Sequence, residues 1–251
     1  TDERPFYMMG YWLSVMDRKM PENPLPRLFF VTSTVTVVAA LLLILLPAMV
    51  FSRLRISGAP SMVFTVIYFF LLGACFMLIE VNLIHKMIIF VGTPGASVSI
   101  VLASILIASG VGSFTSGRMG WPIQNRLGLA LCGIVLFGLA FVFGVDPLLR
   151  PLYALPHWAR YIAASISLFP VGFFMGWFFP LGLRVVGKRS PGLVPWAIAV
   201  NGFASVIGSL VTFPLGMLLG TSGVSLLGLG GYMLAVAAIL PLAIRATQRA
   251  E

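Results

Sequence analysis

The stretch GACFMLIEVNLIHKMIIFVGTPG, residues 73–95, decides the fold, because polar side chains interrupt an otherwise apolar helical segment there. The four interruptions are Glu80, Asn82, His85 and Lys86. Placing an ionisable group in a bilayer costs about 3 kcal/mol or more, so such groups usually face the interior of a helix bundle and mark a functional site. We therefore expect neighbouring helices to shield Glu80 from lipid.

The composition is that of a membrane protein. Hydrophobic residues make up 59% of the chain and charged residues 9%, and the mean hydropathy is +1.04. A soluble domain normally has about 25% charged residues. Apolar runs of about 20 residues recur, whereas a membrane β-barrel would show short alternating segments. We predict an all-α, polytopic bundle of membrane helices.

The net charge of +9 does not indicate nucleic-acid binding, because the basic residues stand singly or in pairs between apolar runs. That placement is typical of signals that orient membrane helices. The two cysteines, Cys75 and Cys132, both fall inside apolar segments, where a thiol behaves as a small hydrophobic group. The predicted partner is therefore the lipid bilayer and not nucleic acid.

Seven apolar segments are long enough to cross a bilayer. The predicted spans cover residues 29–51, 61–91, 96–116, 127–145, 159–186, 194–219 and 222–244. Pro170 and Pro180 predict a kink or a break in the fifth span. Residues 1–28 are polar and contain several prolines, so we predict an interfacial or connecting segment there, and the transmembrane domain covers residues 29–251. We expect this segment to continue a domain upstream of Thr1.

The distribution of basic residues predicts the orientation. Nine of them follow spans one, three, five and seven, against three on the opposite side. Because Lys and Arg concentrate in cytoplasmic loops, the C-terminus is predicted to be cytoplasmic, in a bacterial inner membrane. If the four basic residues of segment 1–28 are added to the opposite side, the count becomes nine basic residues against seven.

Small residues predict where helices pack. They recur every fourth position at Ser104, Ala108, Gly112 and Ser116, and again at Ala204, Gly208, Thr212 and Gly216. Such a face lets another backbone approach closely. We predict helix packing at Gly112 and Gly208, and also at the pair Gly172 and Gly176.

The same glycines suggest an internal repeat. Gly73 opens span two as Gly172 opens span five, and Gly112 and Gly208 end the following spans at nearly the same offset. Spans two to four and five to seven would then be copies, inverted because three helices separate them. Secondary transporters are often built in this way, with the binding site at the repeat interface. Chance matches between glycine-rich apolar segments are the alternative.

Three motifs resemble one known family. They are TDERPF at 1–6, FMLIEVNLI at 76–84 and VPWAIAVNGFASVIGS at 194–209. Together they resemble the C-terminal membrane half of membrane-fused spermidine-synthase-like proteins. The resemblance implies an aminopropyltransferase-like domain upstream of Thr1, which would hold the donor-binding and catalytic residues. No catalytic residue carries over to this chain, so any enzyme activity would belong to that upstream domain.

Three functions of different class follow. The first is the membrane module of such a fusion, which anchors the enzyme and moves a polyamine-like cation. The second is a free-standing secondary transporter of the inverted-repeat kind. The third is a non-catalytic accessory subunit that packs into a larger membrane complex, with other membrane subunits as its partners.

Each polar candidate has a functional and a structural interpretation. Glu80 is either a proton-coupled or cation-binding carboxylate, or a hydrogen-bonded carboxyl that joins helices. Asn82 and His85 share a helix face that nears the membrane surface, where polar residues are ordinary. His85 lies about 140° around the helix from Glu80, so the two do not form a pair. Asn201 either lines a substrate path or makes an interhelical hydrogen bond. The sequence predicts neither a metal site nor a cofactor.

Overall fold

The computed structural model describes residues 31–32, 34–39 and 59–248, and this part of the chain contains α-helices and short 3-10 turns but no β-strand. The five long helices are α1 (Ala59–Val91), α2 (Pro94–Arg118), α3 (Ile123–Leu149), α4 (His157–Arg189) and α5 (Val194–Gln248). All five are long and apolar enough to cross a membrane. The predicted all-α fold is confirmed for this part of the chain, and the five long apolar helices agree with an integral membrane protein.

The helix boundaries follow from local sequence. Gly92, with φ of 102°, ends α1 and donates its N–H to the carbonyl of Ile88. A residue in this left-handed conformation is a frequent helix terminator, and glycine adopts it without steric cost. Thr93 then caps α2 by accepting a hydrogen bond from the Ala96 N–H at 3.4 Å, with Pro94 at the first helical position.

Two details differ from the sequence prediction. Helix α4 continues through Pro170 and Pro180, so of the predicted kink or break the break is absent, and the kink stays a prediction. Prolines are tolerated in membrane helices because neighbouring helices and small local adjustments satisfy the backbone groups that they free. Helix α3 also extends beyond Val145, through Pro147, to Leu149. The predicted segment 1–28 and most of the predicted first span lie outside the described residues, apart from the helical residues 31–32 and 34–39.

Helix α5 is interrupted at Gly220, whose φ of 72° and ψ of 172° are not helical. Its 55 residues would extend about 80 Å if straight, far beyond the hydrocarbon thickness of about 30 Å. We call residues 194–219 α5a and residues 221–248 α5b. The arm α5b runs antiparallel to α1, because Gly231 faces Cys75 while Ser225 bonds to Asn82.

The main contacts pair α1 with α5 and α2 with α4, and glycines permit the closest approaches. A Cβ at Gly208 would lie 2.5 Å from the carbonyl oxygen of Ala74, and a Cβ at Gly73 would collide with the carbonyl oxygen of Asn201. Without side chains at these positions, α1 and α5a meet backbone to backbone. Such contact replaces lipid contact with tight dispersion contact between helices.

The interface between α2 and α4 is built in the same way. A Cβ at Gly112 would collide with the carbonyl oxygen of Phe173, and one at Gly176 with the carbonyl oxygen of Ser109. A Cβ at Gly172 would lie 2.9 Å from the Cβ of Ala108. The glycines that the sequence marked for packing therefore lie at close approaches between helices of this chain.

Candidate functional site

A cavity of about 390 Å³ lies between α1, α2, α4 and both arms of α5. Its volume falls within the range of small-molecule sites. Most of its lining is apolar, and its polar lining residues are Ser109, Ser113, Asn201, Ser205 and Tyr232. Since four separate helices contribute, the shape of the cavity depends on how α1 and α5 pack against α2 and α4.

Two serines offer the cavity hydrogen-bond acceptors. The Ser109 hydroxyl donates to the Leu106 carbonyl at 3.1 Å, and the Ser205 hydroxyl donates to the Asn201 carbonyl at 2.9 Å. A hydroxyl has one hydrogen and two lone pairs. Because each hydrogen is already used within its own helix, the serine oxygens remain available to accept hydrogen bonds from a ligand.

Tyr232 contributes an unused polar group. Its side chain is 0% exposed, and its hydroxyl has no hydrogen-bond partner among the described residues. By contrast, the equally buried Tyr68 donates its hydroxyl to the Phe178 carbonyl at 2.7 Å. A buried hydroxyl without a partner costs about 1–3 kcal/mol. Because the hydroxyl is itself buried, this cost reduces the stability of the fold.

Glu80 lies one helical turn beyond the cavity. It is 4% exposed and follows the lining residues Phe76 and Met77 by one turn along α1. No residue that lines the cavity is basic. The burial of Glu80 agrees with the expectation that helices shield it from lipid.

Asn82 lies away from the cavity and joins helices. It is 3% exposed, and its Nδ2 donates to the Thr221 carbonyl at 2.7 Å and to the Ser225 hydroxyl oxygen at 2.6 Å. Both acceptors belong to the first turns of α5b, directly after Gly220. Asn82 therefore makes an interhelical hydrogen bond, whereas the sequence predicted for it only an ordinary polar position near the membrane surface.

The other polar residues of α1 point in different directions. His85 is exposed, and its Nδ1 donates to the Val81 carbonyl at 2.8 Å, within its own helix. The ammonium group of Lys86 donates to the Val142 carbonyl at 2.9 Å and so connects α1 to α3. Asn82, His85 and Lys86 share one stretch of α1 but no common site.

Of the four predicted site residues, one lines the cavity. Asn201 lines it directly and Glu80 lies a turn away, whereas Asn82 and His85 contribute to other contacts. In the described residues, no three His, Cys, Asp or Glu side chains come together to hold a metal ion.

Sequence reasoning did not single out the serines and Tyr232. A signal existed for two of them, because Ser109 precedes Gly112 by the same spacing that separates Ser205 from Gly208. The search for small residues at every fourth position selected the adjacent positions, Ala108 and Ala204. A signal also existed for Tyr232, because it lies at the middle of the predicted span 222–244, whereas an interfacial tyrosine lies near the end of a span.

We compared the chain with protein-family models, curated proteins and solved structures, and none of the three comparisons finds a match.

Proposed function

We propose that this chain is a transport module of the inverted-repeat kind, with seven spans, and that it moves a small organic cation through the cavity. The observation that carries the proposal is a set of matched helix contacts, in which contacts of one half of the chain recur in the other half.

The first match concerns Gly73 and Gly172, which the sequence aligned as repeat partners. Gly73 of α1 approaches Ala204 of α5a, and Gly172 of α4 approaches Ala108 of α2. Ala108 and Ala204 are themselves partners, because each precedes its aligned glycine, Gly112 or Gly208, by one helical turn. The contact between α1 and α5a therefore has a counterpart between α4 and α2.

Two further matches follow the same alignment. Gly208 approaches the backbone of Ala74, and its partner Gly112 approaches the backbone of Phe173. The residues next in line, Cys75 and Phe174, face Gly231 of α5b and Gly133 of α3, respectively. Chance similarity between glycine-rich helices does not require that contacts correspond pairwise, whereas duplication does.

The span count follows from this repeat. One copy consists of α1, α2 and α3, and the other of α4, α5a and α5b, so the two arms of α5 count as separate crossings. The predicted first span, residues 29–51, adds a seventh. Three crossings separate the copies, so they are inverted, and the cavity lies between them as in transporters of this type. We retain the cytoplasmic C-terminus and the bacterial inner membrane from the loop charges.

The chemistry of the cavity favours a ligand that donates hydrogen bonds. Ser109 and Ser205 present acceptor oxygens, no lining residue is basic, and Glu80 lies one turn away with almost no exposure. A carboxyl buried among apolar groups is stabilised by protonation or by a cation. Aromatic rings of Phe76 and Phe179 line the same space and attract cations through their faces.

A polyamine is the cation that we propose first, because the chain resembles spermidine-synthase-like fusions. In such a protein the module would also anchor an upstream aminopropyltransferase-like domain and receive its product. The accessory-subunit alternative was based on glycine faces available to other proteins. Gly112, Gly172, Gly176 and Gly208 all meet helices of this chain, so those faces are occupied internally.

Spermidine binding and uptake by the purified chain in proteoliposomes test the proposal. Glu80→Gln should weaken binding about 10- to 100-fold, since hydrogen bonds to charged groups contribute about 1.5–3 kcal/mol. The matched control is His85→Gln, which changes an exposed polar residue of the same helix and should have no effect. Uptake that is unaffected by Glu80→Gln, or no saturable binding of spermidine, would reject the cation assignment.

A further inference from the structure

Three arginines converge on one end of the helix bundle. Arg118 lies in the last turn of α2, Arg126 in the first turns of α3, and Arg184 near the end of α4. These three, which we call the arginine cluster, lie apart from the cavity, and none of them lines it.

The C-terminal end of α2 brings two of the guanidinium groups together. Arg126 donates from Nη1 to the Ser116 carbonyl at 2.9 Å, and Arg184 donates from Nη1 to the Gly117 carbonyl at 3.3 Å. These adjacent carbonyls place the two positive charges side by side. Arg126 is only 8% exposed, and its Nε has no hydrogen-bond partner among the described residues.

Most of the donor capacity of the cluster is unused. A guanidinium carries five N–H groups, whereas Arg126 and Arg184 each donate one hydrogen bond in the described part of the chain. Arg118 lies with its guanidinium carbon 3.8 Å from the centroid of the Phe114 ring. The cluster can therefore still bind an acceptor with several oxygens.

No acidic residue lies at this end of the bundle within residues 59–248. The acidic residues of that range are Glu80 and Asp146, which both lie toward the opposite ends of their helices. The position of Arg126 adds to the imbalance, because the N-terminal end of a helix carries partial positive charge and disfavours a cation. The α2 carbonyls offset part of the charge of Arg126 and Arg184, and Arg118, over the Phe114 ring, adds a third positive charge at the same end of the bundle.

The surroundings of the cluster favour a lipid as the source of the anion. Phe114 is 58% exposed and Trp121, between α2 and α3, is 53% exposed. Trp is enriched where membrane and water meet, and an exposed Phe on a membrane helix faces acyl chains. An anion bound to the arginines would thus have apolar side chains beside it, as a lipid headgroup with its acyl chain requires.

We propose that the arginine cluster is a phosphate-binding site and that its ligand is the phosphodiester of an anionic lipid headgroup. Arginine pairs suit this group because the planar guanidinium matches phosphate oxygens with two parallel hydrogen bonds. Basic sites between membrane helices at the cytoplasmic side bind anionic headgroups in this manner. The proposal is independent of what the cavity transports.

Calorimetric titration of the purified full chain in a non-ionic detergent tests this site with dioctanoyl-phosphatidylglycerol, dioctanoyl-phosphatidylcholine and inorganic phosphate. We expect phosphatidylglycerol to bind at least tenfold more tightly than phosphatidylcholine. Arg118→Gln and Arg184→Gln should each weaken its binding about fivefold. Both side chains are exposed, so the variants should fold, and an unchanged unfolding midpoint without lipid verifies this.

The matched control is Arg150→Gln, which removes one exposed positive charge at the opposite end of the bundle and should leave binding unchanged. Equal affinity for the two lipids would overturn the site, as would an equal loss in Arg150→Gln. Inorganic phosphate that binds as tightly as phosphatidylglycerol would overturn the assignment to a lipid headgroup.

Discussion

Replacing Gly208 by alanine should separate α1 from α5a. The added Cβ would lie 2.5 Å from the Ala74 carbonyl oxygen and 2.9 Å from its Cα, whereas ordinary contact begins at 3.4 Å. Both atoms belong to backbone, so the helices must move apart by roughly 1 Å, and overpacking of this kind costs about 1–3 kcal/mol. Alanine recovers up to about 1 kcal/mol because it is the better helix former. We expect a net loss of about 1–2 kcal/mol in the free energy of unfolding.

Gly216→Ala provides a matched control for this prediction. Gly216 belongs to the same arm and the same stripe of small residues, but a Cβ there would meet no atom within 4 Å. Its substitution should therefore leave stability unchanged or raise it slightly. Unfolding by sodium dodecyl sulfate in mixed micelles, followed by tryptophan fluorescence, measures both variants. Equal stabilities of Gly208→Ala and Gly216→Ala would show that backbone contact at Gly208 does not hold the helices together.

Two further predictions use the same unfolding measurement. Tyr232→Phe removes a buried hydroxyl without a partner and should stabilise the protein by about 1 kcal/mol, whereas Tyr68→Phe loses a hydrogen bond and should destabilise it by a similar amount. If both variants changed the free energy of unfolding in the same direction, the two hydroxyls would not differ in hydrogen bonding as described. In a double-mutant cycle, Asn82→Ala and Ser225→Ala should show a coupling free energy of about 1 kcal/mol, and strictly additive effects would mean that their 2.6 Å contact contributes nothing.

The sequence predicted the described helices well because a chain in a bilayer has few structural alternatives. Each crossing must match the hydrocarbon thickness, and every backbone N–H and C=O group must find a hydrogen-bond partner within the protein. Runs of apolar residues placed α1 to α4 and both arms of α5, and Gly220 falls between the predicted spans 194–219 and 222–244. Of the kink or break that Pro170 and Pro180 predicted, only the break is absent, because neighbouring helices can satisfy the backbone groups that proline frees.

Side-chain partners were not predictable in the same way. Asn82, His85 and Lys86 share a helix face in sequence, yet α5b, α1 itself and α3 supply their respective acceptors. Which helix lies against which face depends on the tertiary arrangement and not on local periodicity. The cavity has the same origin, because its serines come from helices far apart in sequence.

The break at Gly220 restricts how the two arms of α5 can move. A single residue joins them, so any change in the angle between the arms has to be absorbed by φ and ψ of one glycine and its immediate neighbours. A long loop would let one arm tilt while the other stayed still. Here, a tilt of one arm requires rotation at Gly220, and it would change the distance between Asn201 on α5a and Tyr232 on α5b, which both line the cavity.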